Sequence, residues 1–498
     1  MEQTFTITEP GGNPAHRVVA TDAPRLLSAE EWAAQQYLPV NLGDKRLNRR
    51  AVQIAASMVT QPEASLPEQA GSHAALEGSY RLYNNRRVTM EALLQPHRQV
   101  TLAAAACYAV VLLVEDTTEL DFTAHATTKN LGPVGDEHGY GLLLHSTIAV
   151  VPDSRVVLGL AHAHVVIREP IAHPNHHRRN SEEGQVWETS AKDVGSPPRG
   201  VLWVHVSDRE SDMFDYMATC SDLGKGFLIR AYQNRTLVWD GELVPDGGEP
   251  VPHLLAYVRR LPPQADGGYT VAVPARKAVP AHQGRPARPA QPARPAQVVL
   301  QWTQVKIQPS QYAPAEMRHH PPLVVGLLRV WEPEPPVGAE PVEWVLLSSQ
   351  PIRTVADAHQ AVRWYTCRWL CEDYHQCLKT GCRVEHTQLD DGADIKRLLG
   401  FCCPIAVRLL QLRQTARQNP DLPATAVVDP LMVKVLTWKR PRLSLNMTIG
   451  EFWQAVAALG GHQGRQSDGP PGWLTLWRGW RHLSDWAEGA RLVATNTT

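Results

Sequence analysis

Residues 108–121 read YAVVLLVEDTTELD, and the interpretation of the chain starts from them. The first seven form a continuous run rich in valine and leucine, the pattern of a strand buried on both faces. The run ends directly in Glu115 and Asp116. A carboxylate at the end of a central strand is costly to desolvate unless it binds something. The arrangement recurs where VLWVHV (201–206) runs into Ser207, Asp208, Arg209 and Glu210.

Two neighbouring strands that both end in aspartate can bring the pair to one divalent cation. Hard cations such as magnesium want oxygen ligands and often take only two or three carboxylates, with a substrate phosphate completing the shell. Either aspartate alone reads equally well as a loop-start cap, because the chain has 50 acidic residues. A third segment adds weight to the pair. WYTCRWLCEDYHQCLKTG (364–381) lies in a helix expected from Val355 to about Lys379. There Tyr365, Arg368, Glu372, Gln376 and Lys379 recur at helical spacing and would share one face. One carboxylate between two cations and a tyrosine is the wrong composition for a core face. It suits a solvated surface or a site that holds phosphates.

Outward from these segments, residues 1 to about 28 read as a polar leader, and Ser28 to about Val100 as helical. In NLGDKRLNRRAVQIAASM, Asp44 can cap a helix with Leu47, Ala51, Ile54 and Met58 on its apolar face. Arg46, Arg49, Arg50 and Gln53 then share the opposite face, and Arg81, Arg86 and Arg87 form a second basic cluster. Strands are expected at 141–151, 155–167, 201–206, 226–231 and 344–348. Strands followed by a strand–helix–strand unit indicate a mixed α/β sheet. Between about Tyr232 and Glu340 proline and glycine are frequent, which reads as a β-rich insertion. Within it RPARPAQPARPAQ (285–297) reads as an extended, mobile, basic loop. A further helix is expected over Ile395–Arg417. Near the C-terminus Trp473, Leu476, Trp477, Trp480 and Leu483 make one apolar stripe.

Hydrophobic residues make up 43% of the 498 and charged residues 20%, the balance of a core-forming chain. The N-terminal MEQTFTITEPGG lacks the basic and apolar regions of a signal peptide, and the longest apolar run, Leu102–Val114, is too short for a bilayer. A cytoplasmic location and no membrane partner are expected. Six of the eight cysteines fall between Cys367 and Cys403 with no Cys-x-x-Cys pairs, so reduced, packed thiols are expected instead of a zinc site. In HAHVVIREPIAHPNHHRR (162–179), His162 and His164 alternate on a strand and His176 and His177 fall in a loop, and the segment reads as a basic loop near DNA and not as a metal site. Net charge is −1, so any nucleic-acid contact has to rest on local clusters.

Tyr365, Arg368, Glu372 and Lys379 together resemble the signature of the insertion-sequence-four family of DDE transposases, in its hairpin-forming branch. NLGDKRLNRR and EGSYRLYNN resemble that family's N-terminal DNA-binding region, and VEDTTELD and SDRESD its two aspartate motifs. HSTIAV (145–150) and EWVLLSSQP (343–351) resemble further core blocks. LLGFCCPIAVRLLQLR and GWLTLWRGWRHL resemble its post-catalytic helices and dimerisation region.

The resemblance implies an α/β fold with an RNase H-like catalytic core, flanked by N-terminal and C-terminal helical domains. The domains would be 1–100 (leader and DNA-binding helices), 101–232 (core, first part), 233–341 (β-rich insertion), 342–420 (core, second part) and 421–498 (dimerisation). It implies Asp116, Asp208 and Glu372 as ligands of two Mg2+ ions, replaceable by Mn2+. Arg230 would approach DNA, Trp344 would stack on a flipped base from a strand edge, and Tyr365, Arg368 and Lys379 would grip phosphates. It implies a homodimer on double-stranded transposon ends and target DNA in a bacterial cell. Gln376 departs from the pattern, standing where a lysine is found in the relative. A structure-directed nuclease and a non-catalytic DNA-binding derivative remain open beside the transposase.

Overall fold

A computed structural model describes residues 6–8, 27–135, 138–169, 182–238, 253–264, 268–273, 278, 287, 289–311, 313, 315–418, 420–465 and 471–496. Most of the leader, His176 and His177, and the start of RPARPAQPARPAQ lie outside the described residues. The fold is mixed α/β, with a mixed sheet and helices at both ends.

After β1 (Thr6–Thr8) come α1 (Ala29–Tyr37), α2 (Lys45–Thr60), α3 (Leu66–Ala70), α4 (His73–Tyr83) and α5 (Met90–Ala105). The central part holds β2 (Val110–Asp121), β3 (Gly132–Val134), β4 (Gly139–Val150), β5 (Val157–Val166), α6 (Glu182–Val194), β6 (Leu202–Ser207), α7 (Phe214–Asp222) and β7 (Gly226–Arg230). Next are β8 (Leu237–Val238), α8 (Leu254–Arg260), β9 (Tyr269–Val273), β10 (Arg294–Ile307), β11 (Leu323–Trp331) and β12 (Glu343–Ser348). The chain closes with α9 (Val355–Thr366), α10 (Trp369–Gln376), α11 (Gly392–Gln418), α12 (Pro430–Lys439), α13 (Ile449–Leu459) and α14 (Trp473–Asn496). No described helix is long and apolar enough to cross a membrane.

Two units divide the chain. The first comprises 1–15, 108–116 and 184–371, and the second 16–107, 117–183 and 372–498. In the first unit the strand order is β1-β9-β10-β11-β12-β7-β6-β2. β2, β6 and β7 run parallel to one another, while β9 to β12 are antiparallel. The strands between 233 and 341 therefore extend the same sheet as the aspartate-bearing strands. Arg294–Gln297, expected in a mobile loop, are instead strand residues paired with β9. That pairing supplies backbone partners that composition cannot reveal.

In the second unit Asp44 caps α2 as expected, its carboxylate accepting the Arg46 N–H at 2.8 Å. Ala51, Ile54 and Met58 are buried behind it, and Leu47 is half-buried. α5 packs on β5 and α11. His97 Nε2 accepts the Leu160 backbone N–H at 3.0 Å, and its Nδ1 meets Gln36 Oε1 at 2.7 Å. The C-terminal stripe packs within the chain: Trp480 stacks on Trp453 of α13 at 5.3 Å. A Cβ at Gly479 would stand 1.7 Å from the Val456 carbonyl, so glycine is what lets α13 and α14 approach so closely.

Candidate active site and nucleic-acid interface

The parallel ladder joins Val110 to Leu202 through Val114 to Val206, an offset of 92 positions (202 minus 110). The same offset separates Asp116 from Asp208 (208 minus 116). The last registered pair, Val114 with Val206, stands two residues before each aspartate; Asp116 is still within β2, whereas Asp208 lies just past the end of β6. One expectation needs correcting, because β2 does not end at Glu115 and Asp116 but continues through Asp121. Strand alternation therefore sends the two carboxylates to opposite faces.

Glu115 is wholly buried. It accepts hydrogen bonds from Ser190 Oγ (3.0 Å), His205 Nδ1 (2.8 Å) and the Tyr216 hydroxyl. Burial, and then the Glu115 charge, hold the Tyr216 hydroxyl protonated by raising its pKa well above the usual value. Sequence reading missed this network. Its signal was the adjacency of Glu115 and Asp116 in a strand, where one of the two must face inward. Asp116 and Asp208 are both partly accessible. Asp208 caps a short turn by accepting the Glu210 N–H at 2.8 Å.

The long helix expected from Val355 to Lys379 is three pieces. α9 stops at Thr366, where the Thr366 hydroxyl donates to the Arg363 carbonyl at 2.7 Å and the Cys367 thiol lies 3.6 Å from it. These side chains compete for the acceptor of the next helical bond. The Cys367 and Arg368 N–H groups turn to Trp364 and Tyr365, three residues back. α10 follows, and Cys377–Gly381 is a π-helical turn. One uniform face through Tyr365, Arg368, Glu372 and Lys379 therefore does not exist.

Tyr365 and Arg368 are buried, at 1% and 2% exposure. Arg368 Nη1 lies 3.9 Å from Asp116 Oδ2, so this guanidinium faces the protein's own carboxylate. Glu372, the first residue of the second unit after α10 has begun, is half-buried. Lys379 pairs with Glu385 at 3.4 Å.

Trp344 was expected at a strand edge. It does lie near the start of its strand, since β12 begins at Glu343, but Trp344 is 3% exposed and therefore in the core. It packs against Tyr365 at 5.9 Å and Trp369 at 6.0 Å. Beside it Glu343 gathers arginines: Arg259 and Arg329 pair with its carboxylate at 2.7 Å each, and Arg230 donates to its carbonyl at 3.2 Å. Burial alone would raise the Glu343 pKa, but the hydrogen bonds from Arg259 and Arg329 outweigh it and lower the value.

The N-terminal basic face separates into two kinds of arginine. Arg46 and Arg49 are exposed, with Arg46 clasping Asp44 at 2.9 Å. Arg50 is half-buried and lies across Gly78 of α4, where an added Cβ would come 2.6 Å from its guanidinium carbon. His162 and His164 stack at 6.3 Å on β5, and His164 meets Glu182 at 2.8 Å. The cysteines are thiols not joined in disulfides, and all but Cys107 are buried.

Among the described residues no group of three or more His, Cys, Asp or Glu side chains is gathered as a metal cage. Asp116 and Asp208, in the first unit, offer oxygen only and are both partly accessible. Such donors suit a hard cation that takes few carboxylates and fills its shell from water and substrate phosphate.

Residues 29–88 match a family model described as transposase DNA-binding. The match opens with the first residue of α1 and closes at Val88, just before the Thr89 cap of α5. It supports a transposase family, with DNA as the partner.

Proposed function

We propose that the protein is a DNA transposase of the insertion-sequence-four kind, similar to the hairpin-forming transposase of transposon five. It would bind the ends of a mobile element, cut them and join them to target DNA. The observation that carries this reading is the parallel register of β2 with β6, which runs toward Asp116 on one strand and toward Asp208 just past the end of the other, in a chain whose residues 29–88 match a transposase DNA-binding model. Glu372 is the third carboxylate in this reading, and the core is RNase H-like. Two magnesium ions held by the three carboxylates and the DNA phosphate would activate water and stabilise the leaving oxygen.

The chain's own residues supply the rest. Arg46 and Arg49 hold the end duplex, and Lys379 exchanges Glu385 for a phosphate. Arg368 keeps Asp116 in place from within the protein. The 3′-hydroxyl freed by the first cut then attacks the opposite strand, leaving a hairpin that a second water opens. Two subunits would pair two ends.

A specific observation favours a second reading, a DNA nuclease on the same core. The buried Trp344 ring packs like a core residue and not like an open stacking platform. Incubating the protein with magnesium and the element's end DNA separates the two on a denaturing gel. Hairpins and joined products support the transposase; linear cuts without either support the nuclease.

A further inference from the structure

A second basic surface lies far along the chain from residues 29–88. Over residues 430–450 the sequence PLMVKVLTWKRPRLSLNMTIG carries Lys434, Lys439, Arg440 and Arg442 and no acidic residue, in a chain whose net charge is −1. All four cations are exposed. Between them Trp438, at the end of α12, is 60% exposed, and Leu445 in the following loop is 57% exposed. Among tryptophans whose side chains are described, Trp438 is the exposed one.

The exposed part of the indole is an apolar face that a stacked base can cover. Lys434 Nζ sits 5.5 Å from the Trp438 ring centre. Lys439 Nζ, at the C-terminal end of α12, lies 4.6 Å from the Trp486 ring on α14. The nearest acid before the segment, Asp429, is already engaged by Arg491. Cations that track a phosphate backbone, with an aromatic face beside them, are the elements of single-strand recognition.

We infer that Trp438 with Lys434, Lys439, Arg440 and Arg442 forms a sequence-independent binding surface for DNA with accessible bases, distinct from the domain at 29–88. The cations take successive phosphates and the indole stacks on one base. The inference rests on the reading that the protein works on DNA, but not on catalysis or on recognition of a particular end.

The test uses the full chain and a fluorescent oligothymidine, with anisotropy measured across a salt series and without magnesium. Trp438→Ala is expected to weaken binding about 5- to 150-fold, the range for one lost base stack. Replacing the four cations by glutamine should flatten the slope of log affinity against log salt by about 3, at roughly 0.7 for each phosphate contact on a single strand. Both effects should persist in an Arg46→Ala, Arg49→Ala background, because the two surfaces act separately. Unchanged affinity and slope in melting-competent variants would overturn the inference. So would unchanged DNA binding together with weaker self-association by sedimentation, which would assign the patch to a second copy of the chain. Failure of the transposase reading would appear separately, as an absence of hairpins and joined ends with the wild-type protein.

Discussion

Glu115 on β2 accepts a hydrogen bond from His205 on the adjacent parallel strand β6 at 2.8 Å, and neither side chain reaches solvent. Ser190 of α6 and Tyr216 of α7 donate to the same carboxylate. One buried group thus ties two strands and two helices together directly behind Asp116. Glu115→Ala would leave three donors facing a void, and removing one partner of a buried charged network costs roughly 3–5 kcal/mol. Urea denaturation should show that loss, with a smaller one for Glu115→Gln. A loss below about 1 kcal/mol for the alanine variant would contradict the structural role.

Alanine at Asp116, Asp208 or Glu372 is expected to abolish cleavage while leaving end binding largely intact, since the contacts that position DNA lie elsewhere. Asp116→Ala should also lower the melting temperature more than Asp208→Ala. It removes a carboxylate facing the buried Arg368, a penalty of about 1–3 kcal/mol. Normal cleavage by any one variant in magnesium removes that residue from the site.

Trp344→Ala should cost about 3–5 kcal/mol of stability, because the ring fills a buried cluster with Tyr365 and Trp369. Trp344→Phe should recover most of that loss. The phenylalanine variant then isolates chemistry from folding. A hairpin step slowed about 5- to 150-fold with nicking preserved would assign the ring to a flipped base. An equal loss of rate in both steps would leave it as packing.

Arg46→Ala and Arg49→Ala are each expected to reduce the salt slope of end binding by about one unit, the value for one phosphate contact on duplex DNA. Arg50 is held across Gly78, so Gly78→Ala should displace its guanidinium with little change in melting temperature. Unchanged affinity and slope in the Arg46, Arg49 and Arg50 triple variant would remove α2 from the interface.

Burial pushes the pKa of His97 down to about 4. Its Nε2 already accepts the Leu160 N–H, so the folded protein resists the proton that the unfolded chain takes up near 6.5. The unfolded state binds more protons between these two values, so stability is full above about pH 6.5 and falls as pH drops towards 4. The loss from this group is about 3 kcal/mol. Melting curves across that window should show the decline, flattened in His97→Asn. A wild-type melting temperature that is constant from pH 7 to 4.5 would refute it.

Much of the secondary structure was legible in local pattern. Asp44 announces α2 because a carboxylate at that place satisfies an N–H that the helix leaves open. The apolar runs at 108–114, 201–206 and 226–231 mark three central strands, because strands buried on both faces carry short, continuous runs rich in valine and leucine.

Other features waited on partners distant in sequence. β2 continues past Asp116 to Asp121, and Arg294–Gln297 become strand through pairing with β9. Backbone groups take whatever partner the fold brings, and a one-dimensional pattern does not name that partner. The break at Cys367 depends on which way the Thr366 and Cys367 side chains turn. Arg368 reads from sequence as a phosphate ligand, yet Asp116 faces it across 252 positions (368 minus 116). Sequence by itself determined the element types, the cap of α2 and the residue types available for chemistry. Tertiary structure decided which face of β2 is buried, which charges are matched within the protein, and that Trp344 lies in a core, because burial and charge pairing depend on contacts between distant segments.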